Sequence, residues 1–234
     1  MSAVEAPERQ TGVFFDRFWK RQEPGRVDKR TRQRWNFIEA NLGILPGKKV
    51  LDVGAGRGLT ARLLMEKGFE VSACDVSSDS VNRLRQQGLV SFVFDLEEDE
   101  LEQKYDSVFC LEVLQYLRYP ERAVSKLKTA LNPGGVLVVS VPNEFHLLRR
   151  LGLFFGVTRW AGITTPHLRF FDRKTAFDLF DRCRLDVVRM IPITLCPPGR
   201  PGEELGRILT RWFPDLFSLS LIFFLKSDDE PAAG

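Results

Sequence analysis

Three carboxylates and a glycine-rich turn are the residues whose types and spacing could do chemistry. Val50–Gly58 reads VLDVGAGRG: an apolar run carries Asp52 near its end, and Gly54, Gly56 and Gly58 alternate with Ala55 and Arg57 before a helical stretch. Glycines there let the backbone approach a ligand, and the first turn of the next helix offers unpaired N–H groups and the positive end of its dipole. A dinucleotide fingerprint would need glycine at position 59, where Leu59 stands, so a pyrophosphate is poorly served. The carboxylate of Asp52 suits an ammonium-bearing ligand better. Asp75 follows Gly58 by 17 residues, at the end of the next apolar run, where an acid can accept both hydroxyls of a ribose. Asp95 ends a third run 20 residues further on, within reach of an adenine amino group. Taken alone, Asp75 or Asp95 could equally cap a helix starting after Val76 or Leu96. Three acids beside one glycine loop favour a ligand.

The elements that must position these residues follow from periodicity. KKVLDV, FEVSACD, LVSFVFD, YDSVFCLEV and VLVVSVP read as strands. Between them lie LTARLLMEKG, closed by Gly68, and SSDSVNRLRQQG, with a serine cap and a stop at Gly88. A further helix spans about Pro120 to Leu131, before a turn at Asn132–Gly135. Strands alternating with helices at this spacing imply right-handed crossovers and a parallel sheet. Asp172 is a candidate N-cap for a helix running to about Cys183. LDVVRMIPI and SLSLIFFLK, separated by the Pro/Gly-rich Pro197–Gly202, read as a closing antiparallel hairpin. The fold class is therefore α/β: a mostly parallel seven-stranded sheet with helices on both faces and a closing antiparallel strand. One domain of 234 residues is expected, with an N-terminal helical arm (1–46), a ligand-binding core (47–141), a substrate cap (142–171) and a C-terminal helix and strands (172–234).

Composition narrows the class. Hydrophobic residues make up 44% and charged residues 28%, which excludes a disordered chain. No apolar run approaches the roughly 18 residues of a membrane span. The first residues, MSAVEAPERQ, lack the apolar core of a secretory signal, and the four cysteines show no metal-ligand spacing, so a reduced, cytoplasmic protein without a metal is expected. A net charge of +3 calls for no nucleic acid. Its distribution is uneven: nine Lys/Arg against three Asp/Glu between Arg9 and Arg34, and an acidic stretch from Asp95 to Asp106. The basic arm reads as a solvated helix face before it reads as a phosphate site. Phe14, Phe15, Phe18 and Trp19 share a helical stripe, read first as a face docked on the domain and second as part of an acceptor pocket or lid.

Asp52, the three glycines, Asp75 and Asp95, with YDSVFCLEVLQYL, LNPGGVLVVSVPN and HLRFFDRKT, resemble the class I S-adenosylmethionine-dependent methyltransferases, which share a Rossmann-like fold. The resemblance covers nearly the whole chain and is greatest to the small-molecule branch holding the ubiquinone-biosynthesis O-methyltransferases and the MetW-like proteins of methionine biosynthesis. It implies S-adenosylmethionine as cofactor and S-adenosylhomocysteine as product. It implies that Gly54 and Gly56 contact the methionine part and Asp75 the ribose, with Asp52, Ala55, Gly58 and Val76 also among the cofactor-binding residues. Asp95 and Leu96 would face the adenine, and Cys110 and Leu111 would line the cofactor near the sulfonium. The sequence departs from the family where Gln115–Tyr116 replaces the common Glu-His pair.

Methyl transfer needs a general base only when the acceptor is a neutral hydroxyl or a protonated amine. His146 and His167 are the two histidines, and the ubiquinone-type enzymes carry a histidine before a K/R-F pair where Pro166-His167-Leu168-Arg169-Phe170 stands. His167 is therefore the candidate base or substrate contact, with the alternative that it pins its loop through a backbone carbonyl. Glu112 and Glu144 lie near the same place and read first as structural hydrogen-bond partners. The expected function is methyl transfer to a small-molecule acceptor, on oxygen and quinone- or phenol-like. The competing readings are a non-catalytic, cofactor-binding MetW-like partner protein and an NAD-dependent enzyme of similar topology. Nucleic-acid methylation is disfavoured because Glu112-Val113-Leu114 stands where an Asn/Asp-Pro-Pro-aromatic motif would. Residues 146–160 mix Leu and Phe with Arg149, Arg150 and Arg159, and read as a cap or as a peripheral membrane contact.

Overall fold

Side chains along a strand alternate between faces, and here both faces are covered by helices, so the strands are apolar almost throughout. The strands are β1 (Lys49–Val53), β2 (Glu70–Asp75), β3 (Val90–Val93), β4 (Tyr105–Leu111), β5 (Leu131–Pro142), β6 (Leu185–Thr194) and β7 (Ser218–Ser227). They form one sheet in the order β3-β2-β1-β4-β5-β7-β6, in which β7 alone runs against its neighbours. The computed structural model describes residues 10–21, 24–157, 166–196 and 201–228. The helices are α1 (Gln10–Arg21), α2 (Pro24–Glu39), α3 (Leu59–Glu66), α4 (Ser78–Gln86), α5 (Pro120–Thr129), α6 (Leu147–Phe154), α7 (Arg173–Arg182), α8 (Glu203–Trp212) and the single turn α9 (Pro214–Phe217).

Two cores follow from the alternation. Leu51, Val108, Val139 and Phe223 pack toward α5 and α7, where they meet Leu127 and Phe180. Val50, Phe109, Val138 and Phe224 pack on the opposite face against Trp35 and Ile38 of α2, Leu64 of α3 and Leu84 of α4. The expected caps are present: Ser77 accepts the Ser80 N–H at 3.0 Å, and Asp172 and Thr175 form a reciprocal capping box on α7. The turn expected at Asn132–Gly135 lies within β5, where the pairing jumps from Leu131 opposite Tyr105 to Val136 opposite Ser107. Asp106 sits in that irregularity and accepts the N–H groups of Lys48 and Lys49, both at 2.9 Å. The sequence reading did not contain α8, which bridges β6 to β7. Residues 197–200 of the Pro/Gly-rich segment lie outside the described residues.

Phe223 is fully buried in the middle of β7, its ring 5.0 Å from that of Phe180. Phe223→Ala leaves a cavity the sheet cannot close and is expected to lower the unfolding free energy by about 3–5 kcal/mol, read from urea midpoints.

Candidate active site

The carboxyl ends of β1, β2 and β4 and the glycine loop Gly54–Gly58 meet at one edge of the sheet. Gly54, Gly56 and Gly58 all have positive φ, at 70°, 55° and 75°. A β-carbon on Gly54 would run into Val113, and one on Gly58 into Leu84. The loop is tied to β2: Gly54 and Ala55 donate to the Cys74 carbonyl at 2.8 and 3.0 Å, and Gly56 donates to Oδ2 of Asp75 at 2.8 Å. Asp75 also accepts the Ser77 N–H at 2.9 Å, while the cap of α4 is Ser77 itself. Asp75 is therefore a brace for the loop rather than a helix cap. No helix follows Leu96; Asp95 accepts the Glu97 N–H at 3.0 Å and closes a tight turn.

Burial sets the charge behaviour of these acids. Asp52 is pushed up to about 7, chiefly by removal from water and then by the neighbouring charge of Asp75. Its Oδ2 is buried without a hydrogen-bond partner. Asp75 is raised to about 6, chiefly by burial, with the Ser77 and Gly56 N–H groups opposing the shift.

Two adjoining cavities open at this edge. The larger, of about 420 Å³, is lined by Asp52, Gly54, Ala55, Gly56 and Leu111 on one side and by His146, Arg149, His167 and Ser220 on the other. The smaller, of about 90 Å³, is lined by Gly54, Asp75, Val76, Asp95 and Leu96. Thr11 and Phe15 of α1 cover it. Two candidates of the sequence reading line neither cavity: Gly58 shapes the loop and starts α3, and Cys110 points into the core beside Val108 and Leu51. The lining expected of Cys110 falls to Leu111, one residue on and so on the other side of the strand.

α1 docks through half-buried Phe15 and Phe18, whose rings lie 5.2 and 6.3 Å from Tyr116, and Asp16 accepts the Ser77 hydroxyl. Phe14 is nearly half exposed, and the Trp19 side chain lies outside the described residues, as do those of 20–30 in the basic arm. Tyr116 in turn meets the His167 ring edge-on at 5.1 Å. Gln115 anchors the cap: its carbonyl accepts the N–H groups of Leu168 and Arg169 at 2.8 and 3.1 Å. Gln115 and Tyr116, the departure from the family pattern, thus join the arm, the cap and the cavity.

His167 does not bond a backbone carbonyl. Its Nδ1 lies 2.5 Å from Oε1 of Glu144, which is fully buried and ion-paired with Arg149. Beside a carboxylate, Nδ1 carries the proton of the neutral ring and Nε2 the lone pair. Burial lowers the pKa of His167, the Glu112 charge opposes that and the Arg149 charge adds to it. His146 is buried in the cavity wall with Nδ1 unpartnered, and burial lowers its pKa too.

One residue was missed in the sequence, and Glu112, expected as a structural hydrogen-bond partner, has that role. Arg34 of α2 lines the larger cavity with its Nε buried and unpartnered. Nothing in its local pattern separates it from the other arginines of the basic arm. Glu112 stands in the left-handed region at φ 58° and accepts the hydroxyls of Ser140 and Ser220 at 3.1 and 2.7 Å. A non-glycine residue held there marks stored strain at a site.

A family model described as a methyltransferase domain matches residues 18–189. A ubiquinone biosynthesis O-methyltransferase of Idiomarina loihiensis is 34% identical over 119 residues, 47% of this chain and 49% of that one. One from Shewanella halifaxensis is 26% identical over 175 residues, 70% of this chain and 74% of the relative. The match to the first of these thus spans about half of that protein's length. Among solved structures, a possible histamine N-methyltransferase of Thermotoga maritima superposes with a TM-score of 0.67 at 15% identity, covering 93% of this chain and 99% of that one. A magnesium protoporphyrin IX methyltransferase of Synechocystis, solved with S-adenosylhomocysteine bound, gives 0.61 at 21% identity, covering 92% and 95%. At these identities the structures speak for the fold.

Because Asp52 and Asp75 titrate above the ordinary 3.8, the native protein holds protons that the unfolded chain has released. Its stability without ligand therefore falls as pH rises from about 4 through about 7. Urea midpoints taken between about pH 5 and about pH 8 are expected to show this slope, and Asp52→Asn to flatten it.

Proposed function

This chain belongs to the S-adenosylmethionine-dependent methyltransferases, and we propose that it transfers the methyl group to an oxygen of a small-molecule acceptor held in the larger cavity. Two features of the cofactor edge fit such a ligand. The unpartnered Asp52 oxygen is a ready acceptor for an ammonium group, and Gly54 and Gly56 line the cavity with main chain. When bound, the cofactor supplies an already activated methyl at a sulfonium.

The chain's residues then divide the work. Asp52 neutralises the ammonium, and the cation returns Asp52 to its charged form. Arg34 takes the carboxylate, for which its unpaired Nε is one donor. Asp75 spends one lone pair of each oxygen on Gly56 and Ser77 and keeps another on each for the ribose hydroxyls. Val76, Asp95 and Leu96 border the adenine. The smaller cavity, of about 90 Å³, adjoins the larger one through Gly54 and Tyr116, so the cofactor would span the two.

The observation that carries an oxygen acceptor is the His167–Glu144 pair in the wall of the same cavity as the glycine loop. Glu144 holds the proton on Nδ1 and turns the Nε2 lone pair into the available base. Arg149 keeps Glu144 engaged and disfavours a second proton on His167. A neutral hydroxyl gives up its proton to Nε2 as its oxygen takes the methyl. Transfer in line, away from water, accounts for the rest of the acceleration. The names of the curated relatives support the same acceptor class.

The test is turnover: labelled S-adenosylmethionine incubated with catechols, simple phenols and hydroxybenzoates, with label followed into the organic phase. Transfer to oxygen in any of them supports the reading. Cofactor binding without transfer to any would overturn it in favour of a non-catalytic binding protein.

Asp75→Asn is expected to weaken cofactor binding roughly 10- to 100-fold by calorimetry. His167→Ala is expected to lower kcat by about 10²–10⁴ with little change in the cofactor's Kd. In the wild type, kcat should fall at acid pH as His167 is protonated, with the limb displaced below the usual histidine range because burial disfavours the charged ring. Glu144→Gln should retain part of the rate and move that limb to lower pH, since the ring loses the carboxylate that favours its charged form.

A further inference from the structure

Three residues line both cavities: Gly54, Glu112 and Tyr116. Gly54 offers only main chain. The other two are a carboxylate and an aromatic ring, side chains that attract a cation. Among the described residues five carboxylates line the two cavities, and residues 158–165, which lie outside them, carry Arg159 and no acid. Asp52, Asp75 and Asp95 answer the ammonium, the ribose and the adenine in the methyl-transfer reading. Glu97 is engaged by main chain, accepting the N–H groups of Arg118 and Tyr119 at 2.8 and 3.2 Å. Glu112 is the acid left at the junction.

The chain keeps a side chain here against the preference of its backbone. Glu112 has φ 58°, a conformation glycine would adopt without strain. The side chain is fixed as firmly: Oε1 accepts the hydroxyls of Ser140 and Ser220 and stands 3.7 Å from Nη1 of Arg34. All three contacts reach one oxygen. Oε2 accepts no hydrogen bond from a described residue, and the side chain is 22% exposed. Tyr116 is held in place by the rings of Phe15, Phe18 and His167.

We infer that Glu112, with the Tyr116 ring, distinguishes cofactor from product by holding the positive charge of the sulfonium. The inference rests on the methyl-transfer reading, in which the cofactor spans both cavities. Its methionine end belongs beside Asp52 and its ribose beside Asp75. Its sulfur joins those two ends, as Glu112 borders both spaces. In the transfer an oxygen lone pair bonds the methyl carbon and the C–S pair stays on sulfur, which becomes a neutral thioether. The hydroxyl proton goes to His167. The attraction to Glu112 ends there, while the contacts of the ammonium, carboxylate, ribose and adenine persist. Product is thereby released in favour of fresh, charged cofactor.

The test is calorimetry of the full chain with S-adenosylmethionine and with S-adenosylhomocysteine, each without acceptor and so without turnover. The two ligands share every group but the methyl and its charge. Any effect passed through Arg34 or the glycine loop therefore cancels in the ratio of their Kd values. Glu112→Gln keeps an oxygen for the two serine hydroxyls and removes the charge. It is expected to weaken S-adenosylmethionine at least about tenfold and to leave S-adenosylhomocysteine within about twofold. Glu112→Gly, which suits the positive φ, should show the same selective loss, so a folding defect in one variant leaves the other to be read. Sinefungin, which carries an ammonium group in place of the methyl-sulfonium, should follow S-adenosylmethionine. Equal weakening of both ligands in the variants, or weakening of neither, overturns the inference and leaves the methyl-transfer reading standing. Failure of the wild type to bind either ligand overturns both.

Discussion

The structure turns on one hydrogen bond from a main-chain N–H to a carboxylate, Gly56 to Asp75. Because β1 and β2 are parallel neighbours, their ends lie side by side, and the acid closing one strand reaches the loop leaving the other. That bond, with the two donated to the Cys74 carbonyl, holds three successive positive-φ glycines in a single path. The path opens the space beside Asp52 and aims the start of α3 at it. The same burial that makes the bond strong lifts Asp75 and Asp52 toward neutrality. A site so poised favours a cation over an anion, which distinguishes it from a phosphate-binding glycine loop of similar spacing.

A second set of contacts carries that edge outward. Glu112, forced into the left-handed region after β4, collects the hydroxyls of Ser140 and Ser220 from β5 and β7 and stands 3.7 Å from the Arg34 guanidinium of α2. Three residues on, Gln115 clamps the cap loop, and Tyr116 is packed between the rings of α1 and the His167 ring. The turn after β4 is thus where arm, cap and sheet meet. A change in α1 reaches His167 through one aromatic side chain.

Much of this was legible in the residues. Period-two apolar runs and their capped helices located five of the seven strands closely, together with α3, α4, α5 and α7, because local patterning reports the face that must be buried, while β5 starts at Leu131, ahead of its apolar run. Edge strand β3 is shorter than its apolar run suggested, since Val90 and Val93 have no strand on their outer side. α8 was missed although Leu205, Ile208 and Trp212 fall on one helical stripe in the sequence; that this stripe faces solvent is a feature the pattern does not carry. Glu144 read as structural because it stands 23 residues from His167, and only the return of the chain over the cavity brings the two together.

The sequence by itself determined the α/β class, the glycine loop and the three acids at strand ends, since these depend on short-range spacing and on the period of a strand. Tertiary structure alone decided which acid braces the loop, that Leu111 rather than Cys110 faces the cavity, and that His167 is backed by a carboxylate. It also brought Arg34 from an undistinguished basic helix into the wall of the cavity that Asp52 lines. Each of these is a contact between distant segments, and its geometry is set by how the sheet orders its strands, which no local pattern encodes.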